Sequence, residues 1–264
     1  MNYNYAKAIL HTIVKALRRS NGRKLKRQEK AMARRIQAEF EEQKKFILRK
    51  SKKLFEQKSV NYRQKAIDDD IDSIFDDLSD EELKKVILES AGLTMLFGAN
   101  YRIKKEGLAR LGITFDLSHP LAEQYLKTDR VLILSKLNET TKEHIKPILL
   151  DAVERGASYQ ETAKKIAENY GLSRERSLMI ATHETGKAYE YGNRVPLQDA
   201  QDEGKKVVKK WSTVGDDKVT PTHTQNEDDG WIPLDDTFSG TGDQEAPGSD
   251  NPRCRCTTLY EIRN

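Results

Sequence analysis

The sequence has 264 residues, 36% of them hydrophobic and 33% charged, with a net charge of +4. That balance argues against a thick, uniformly apolar core and for long helices with solvated faces. No run approaches the ~20 apolar residues that a bilayer span requires. MNYNYAKAILHTIV also lacks a basic leader with a small-residue cleavage site, so the chain reads as soluble and made in a reducing cytoplasm.

Charge is unevenly placed. Residues 1–60 hold 18 Lys and Arg against 5 Asp and Glu, a balance of +13, and the remainder holds 28 against 37, a balance of −9. A basic arm on an acidic body favours polyanions, or an acidic protein face, at one end only.

Ala6, Ile9, Leu10, Ile13, Val14 and Leu17 recur at three- and four-residue spacing and predict a helix that breaks at Ser20-Asn21-Gly22. A second helix is expected over 24–60 on the stripe Ile36, Phe40, Ile47, Leu54 and Phe55. Few aromatic residues interleave with the cations, which argues against a single-strand stacking platform. After the acidic run DDDIDSIFDDL, Ser79 and Glu82 form a capping box for EELKKVILESAG, with Gly92 and Gly98 near its end or in a second helical piece. Gly112 and Pro120 punctuate a bend, with a short strand expected at Ile113–Leu117 and helix resuming over 120–136.

Three more helices carry their own signals. Thr140 with Glu143 opens TKEHIKPILLDAVERG, which Gly156 closes and Pro147 kinks or delays. Ser158 with Glu161 opens a helix that Gly171 closes. Ser173 starts the next, and the short connector predicts an αα-hairpin buried through Ala163, Ile166, Ala167, Leu178, Ile180, Ala181 and Ala188. KKVVKKWSTVG and CRCTTLYEIRN alternate as strands, and 216–250 between them reads as a long irregular loop. Trp211 and Trp231 are expected to anchor the core there. The fold class is α+β: long helices in the N-terminal two-thirds and a small C-terminal module with a short antiparallel sheet. The expected domains are a basic helical arm at 1–60, a helical linker region at 61–136 and the module at 137–264.

Both cysteines of the chain, Cys254 and Cys256, sit one residue apart at the end of that loop. A disulfide across one residue would be strained and would remove little chain entropy. On a strand, both sulfurs would face one side. With His223, and Asp216 as a tentative fourth, they make a set of ligand types that suits Zn2+. The same residues equally describe two small buried thiols beside a histidine bonded to a carboxylate. A catalytic cysteine is disfavoured, because no Gly-rich turn that could stabilise an oxyanion adjoins either one.

The order Trp211, Asp216, Val219, His223, Gly230, Pro233, Phe238, Pro252, Cys254, Arg255 and Cys256 resembles the phage Mu protein F-like family of head-morphogenesis, or minor head, proteins. Ala181-Thr182-His183-Glu184-Thr185, then Ala188 and Asn193, resemble its helix motif, and the likeness spans about 137–260. Lys218, Thr220 and His183 depart from arginines usual in the family, which weakens any phosphate or acidic contact those arginines make.

The resemblance implies a virion protein of a tailed phage or prophage head, not an enzyme. It would be made in the host cytoplasm, would associate with the portal, major capsid or scaffold protein, and would assist head assembly and DNA packaging or ejection. Arg18, Arg19, Arg23, Lys24, Lys26, Arg27, Arg34 and Arg35 are the candidate contacts to double-stranded DNA, bound without sequence preference. Glu184, Trp211 and Arg255 are structural motif residues, with Glu184 expected to pair with a cation such as Arg255. The alternative is a metal-dependent hydrolase or nuclease using Asp216, Asp217, His223, Glu227 and Asp228, although no His-Glu-x-x-His pattern or Walker loop is present.

Overall fold

The computed structural model describes residues 3–56, 64–127, 137–155 and 157–263, with side chains of the first helix from Gly22 onward. The fold is α+β, a helical body ending in a three-stranded antiparallel sheet. The helices are α1 (Tyr3–Glu56), α2 (Gln64–Asp76), α3 (Glu81–Glu106), α4 (Pro120–Lys127), α5 (Leu137–Glu154), α6 (Tyr159–Ala167), α7 (Arg174–Asp202) and α8 (Pro221–Asp228). The strands are β1 (Lys206–Ser212), β2 (Ile232–Pro233) and β3 (Thr257–Arg263), in the order β2-β1-β3.

The expected break at Ser20-Asn21-Gly22 does not occur, and α1 continues through it. A glycine inside a helix costs only about 1 kcal/mol relative to alanine, less than the packing further along gains. Met32, Ile36, Phe40 and Ile47 are buried against Ile71 and Phe75 of α2, Ile87 of α3, Ile145 and Leu149 of α5, and Ile180 of α7. The acidic run before α3 lies largely on α2, whose apolar face is buried while Asp68 and Asp72 pair with Lys146 of α5 at 2.9 and 2.8 Å.

Nor do Gly92 and Gly98 end α3. A Cβ on Gly98 would overlap the carbonyl of Tyr189, and one on Gly192 would overlap that of Met95. These glycines let the backbones of α3 and α7 cross in direct contact, and the two helices form the most extensive helix pair of the fold. Gly107, in the left-handed region at φ 66°, closes α3. Ser79 accepts a hydrogen bond from Glu81 N at 3.3 Å rather than from Glu82. Ile113–Leu117 forms no strand, because the segment has no neighbouring strand; Ile113 and Phe115 are buried without one.

α5 starts at Leu137, ahead of the expected cap, and continues through Pro147. Thr141 is buried and accepts a hydrogen bond from Arg176 at 2.9 Å. Gly156 and the predicted helix at 128–136 lie outside the described residues. Ser158 and Ser173 cap as their spacing predicts, each accepting at 3.1 Å from the third residue on, Glu161 and Arg176. α6 ends at Ala167, before Gly171, and packs on α1 and α5, so the expected hairpin with α7 is replaced by a three-helix contact. Leu178 and Ala167 are consequently exposed. α7 continues beyond the predicted region to Asp202, through Pro196.

β1 pairs with β3 from Lys206↔Arg263 to Ser212↔Thr257, and Val208 and Lys209 pair with Pro233 and Ile232. Leu108, Ile113, Leu197, Ala200, Val207, Leu234 and Tyr260 join the sheet to the helices. Trp211 is fully buried, whereas Trp231 is 37% exposed with Arg263 over its ring at 5.7 Å, so only the first anchors the core.

Candidate functional site

The long loop is not wholly irregular. Thr220 precedes a helix that begins with Pro221, where a missing N–H is harmless. This turn of α8 points His223 inward, and the ring is 1% exposed. Asn226, on the same helix and fully buried, gathers the loop: its Oδ1 accepts from Gly240 N at 2.8 Å and Thr241 N at 3.1 Å, and its Nδ2 donates to Thr241 Oγ1 at 2.9 Å. Asp229 accepts from Ser239 N and Oγ at 2.8 and 2.7 Å. Backbone hydrogen-bonding demand is therefore met by side chains where strands are absent.

The other side of the loop returns just before β3. There Cys254 Sγ and Cys256 Sγ each lie 3.5 Å from His223 Nδ1. The three ligand atoms lie within 4.8 Å of one another, and all three residues are buried. His223 Nε2 faces Asp250 Oδ1 at 2.8 Å, and Asp250 also accepts from Thr222 Oγ1 at 2.9 Å. Gly248 makes room for this, since a Cβ there would lie 2.5 Å from Nε2. Trp211 lies against the His223 ring at a centroid distance of 5.2 Å, and Phe238 meets Trp211 edge-on at 5.1 Å.

The electrostatics favour one negative charge on the thiols. The neighbouring thiol, with backbone N–H groups of Cys256 and Gly248, lowers Cys254 to about 6 against the resistance of burial. That thiolate then makes the second proton harder to remove, and together with burial it pushes Cys256 up.

Asp216 is not part of this group. Its carboxylate is held by Arg255 at 2.7 and 2.9 Å, which keeps it below the usual carboxylate range. Arg255 projects away from the two sulfurs that flank it in sequence, as alternation along an extended chain requires. It therefore does not reach Glu184, whose carboxylate is fully buried with both oxygens unpartnered. Glu227 is likewise engaged, accepting from Thr213 Oγ1 at 2.7 Å. Among the described residues, the carboxylates of the hydrolase reading form no cluster with His223.

Of the basic set, Arg23, Lys24, Lys26, Arg27 and Arg34 are exposed on α1, and the side chains of Arg18 and Arg19 lie outside the described residues. Arg35 is paired with Glu89 at 2.6 Å. Arg23 and Lys26 do not face open solvent alone. With Lys105, Tyr189 and Thr257 they line a cleft of about 930 Å³ between α1, α3, α7 and β3, which also reaches both cysteines.

Residues 143–259 match the family model described as "Phage Mu protein F like protein". Over those residues the C-terminal module is similar to the phage Mu protein F-like family. This family is one of phage head-morphogenesis proteins. The chain is also similar to NAD(+)--arginine ADP-ribosyltransferase EFV of Enterococcus faecalis (strain ATCC 700802 / V583), at 27% identity over 136 residues. That alignment covers 49% of this chain and 28% of the transferase, so the chain spans well under half of that relative. No solved structure matches the chain.

Within the Mu F-like module, sequence reasoning selected His223, Cys254 and Cys256 but missed Asp250, Asn226 and Gly248. Thr-Pro-Thr-His at 220–223 carried a usable signal, because proline after a threonine marks a helix start. Asp250 carried none, being one of many acidic residues in a polar loop. No helix among the described residues is long and apolar enough to cross a membrane.

Proposed function

We propose that this chain is a minor head protein of a tailed phage or prophage, carried in the virion. In this reading the Mu F-like module docks on the portal, the inner capsid or the scaffold, and the basic face of α1 lies against packaged DNA. The family match over 143–259 carries the proposal. The exposed cations Arg23, Lys24, Lys26, Arg27 and Arg34 support the DNA part, since phosphate contacts of this kind are sequence-indifferent and weaken with salt. The virion part is tested by mass spectrometry of purified particles and electron microscopy of a deletion strain. The expected result is a few copies per particle and defective or unfilled heads on deletion. Particles that lack the protein, with normal heads in the deletion strain, would refute it.

The hydrolase reading has less support, because Asp216 and Glu227 are occupied by Arg255 and Thr213. DNA cleavage by the purified chain with Mg2+, Mn2+ or Zn2+, abolished by His223→Ala, would revive it.

A further inference from the structure

We infer that His223, Cys254 and Cys256 bind one Zn2+ ion, with a solvent molecule as fourth ligand and Asp250 holding the imidazole from behind. Three observations carry this.

The first is a count of lone pairs. Asp250 accepts the Nε2–H of His223, which leaves Nδ1 with one in-plane lone pair. Two sulfurs stand at the same 3.5 Å from that nitrogen. A single lone pair accepts one linear S–H hydrogen bond, so a thiol–imidazole contact accounts for the approach of only one sulfur to Nδ1. A common centre accounts for both.

The second is distance. Tetrahedral Zn2+ with Zn–S of ~2.3 Å and Zn–N of ~2.05 Å sets the S···N separation at about 3.6 Å. Both observed separations are 3.5 Å.

The third is the surrounding shell. Carboxylate–histidine–zinc triads place an acceptor on the far ring nitrogen, as Asp250 is placed here. Cys254 Sγ accepts from Cys256 N at 3.4 Å, an N–H···S contact that suits a metal-bound thiolate. Asp250 lies 27 residues from His223 along the chain and Cys254 lies 31, so the ion would fasten α8 to the segment entering β3 and close the loop between them. Binding transfers no electrons. Both cysteines bind as thiolates, the remaining thiol proton going to solvent, the imidazole is bound neutral, and the Zn–S₂N unit carries no net charge, which suits a buried setting.

The test uses the full chain expressed without a polyhistidine tag. Elemental analysis is expected to give about one zinc per chain, lost in Cys254→Ser/Cys256→Ser and kept in Asp216→Asn. Asp250→Ala is expected to lower zinc affinity about 10–100-fold. Because the double serine variant could fail to fold, metal-stripped wild-type protein is also titrated with Co2+. A sulfur-to-cobalt charge-transfer band saturating at one equivalent supports the site. Wild-type protein that holds no zinc and gives no such band overturns it, as does a folded double serine variant that keeps its zinc.

Discussion

Asp250 reaches back across 27 residues to set Oδ1 at 2.8 Å from Nε2 of His223, and this contact fixes the direction in which the imidazole presents its other nitrogen. The histidine is 1% exposed, but the Asp250 side chain is 39% exposed, so water replaces the carboxylate only in part when it is removed. Asp250→Ala should therefore destabilise the module by about 1–3 kcal/mol, the penalty of leaving a buried donor unsatisfied. Asp250→Asn, which keeps an acceptor, should lose less. Urea unfolding followed by the fluorescence of Trp211, whose ring lies beside His223, checks the order.

Glycine substitutions separate close approach from mere helix interruption. Gly98→Ala and Gly192→Ala each force a methyl group into the backbone of the facing helix and should cost about 1–3 kcal/mol or more. Gly22→Ala, on α1 with open space around it, should instead stabilise by up to about 1 kcal/mol. Thermal melts of the three variants give the comparison, and equal effects at all three positions would contradict the packing described for α3 and α7.

Two buried neighbours on α7 should give opposite pH dependences. Burial raises Glu184 from 4.5 to about 7 and lowers His183 from 6.5 to about 4. For Glu184 the folded state holds its proton more tightly than the unfolded one, so its contribution declines as pH rises from 4.5 through 7. For His183 the folded state holds its proton less tightly, so its contribution declines as pH falls from 6.5 through 4. Each amounts to about 3 kcal/mol at 1.36 kcal/mol per pKa unit. In wild-type protein the two largely offset one another between pH 4.5 and 6.5. Glu184→Gln should unmask the histidine, with stability rising by about 3 kcal/mol across that window, and His183→Gln should unmask the reverse slope. Chemical denaturation at a series of pH values tests both.

DNA affinity should follow the exposed cations that have no role inside the fold. Arg27→Ala/Arg34→Ala should weaken binding and reduce the slope of log affinity against log salt by about 2, roughly 0.9 for each lost phosphate contact. Arg35→Ala should change it less, because Arg35 is already paired with Glu89. Fluorescence anisotropy with duplexes of unrelated sequence, over a range of salt concentrations, measures both quantities. A chain that shows no binding even at low salt would remove DNA from the proposed role.

Local signals were readable where the local chemistry decides the outcome. Ser158 and Ser173 cap helices because a hydroxyl three residues ahead of a backbone N–H suffices, whatever packs nearby. β1 and β3 followed from alternation. Where tertiary contacts decide, sequence alone misled. Gly98 reads as punctuation and works as a crossing point, and Leu178 reads as core yet is exposed because α6 packs on α1 and α5. The His223, Cys254 and Cys256 grouping was legible from residue types alone. Asp216 was a misleading fourth member, since its nearer opportunity is the guanidinium of Arg255. Asp250 could be chosen only once the path of the loop was known.

The order β2-β1-β3 gives the module a definite moment of birth. β1 is the middle strand, yet its main partner runs from Thr257 to Arg263, so during synthesis its edge stays bare until residue 263 has cleared the ribosome. An open strand of this kind invites mispairing with other nascent chains. The helical body, whose partners are already translated by then, can form first and shelter it through Leu197 and Ala200 of α7. Until β3 is made, a partial chain carries the helices but no finished module.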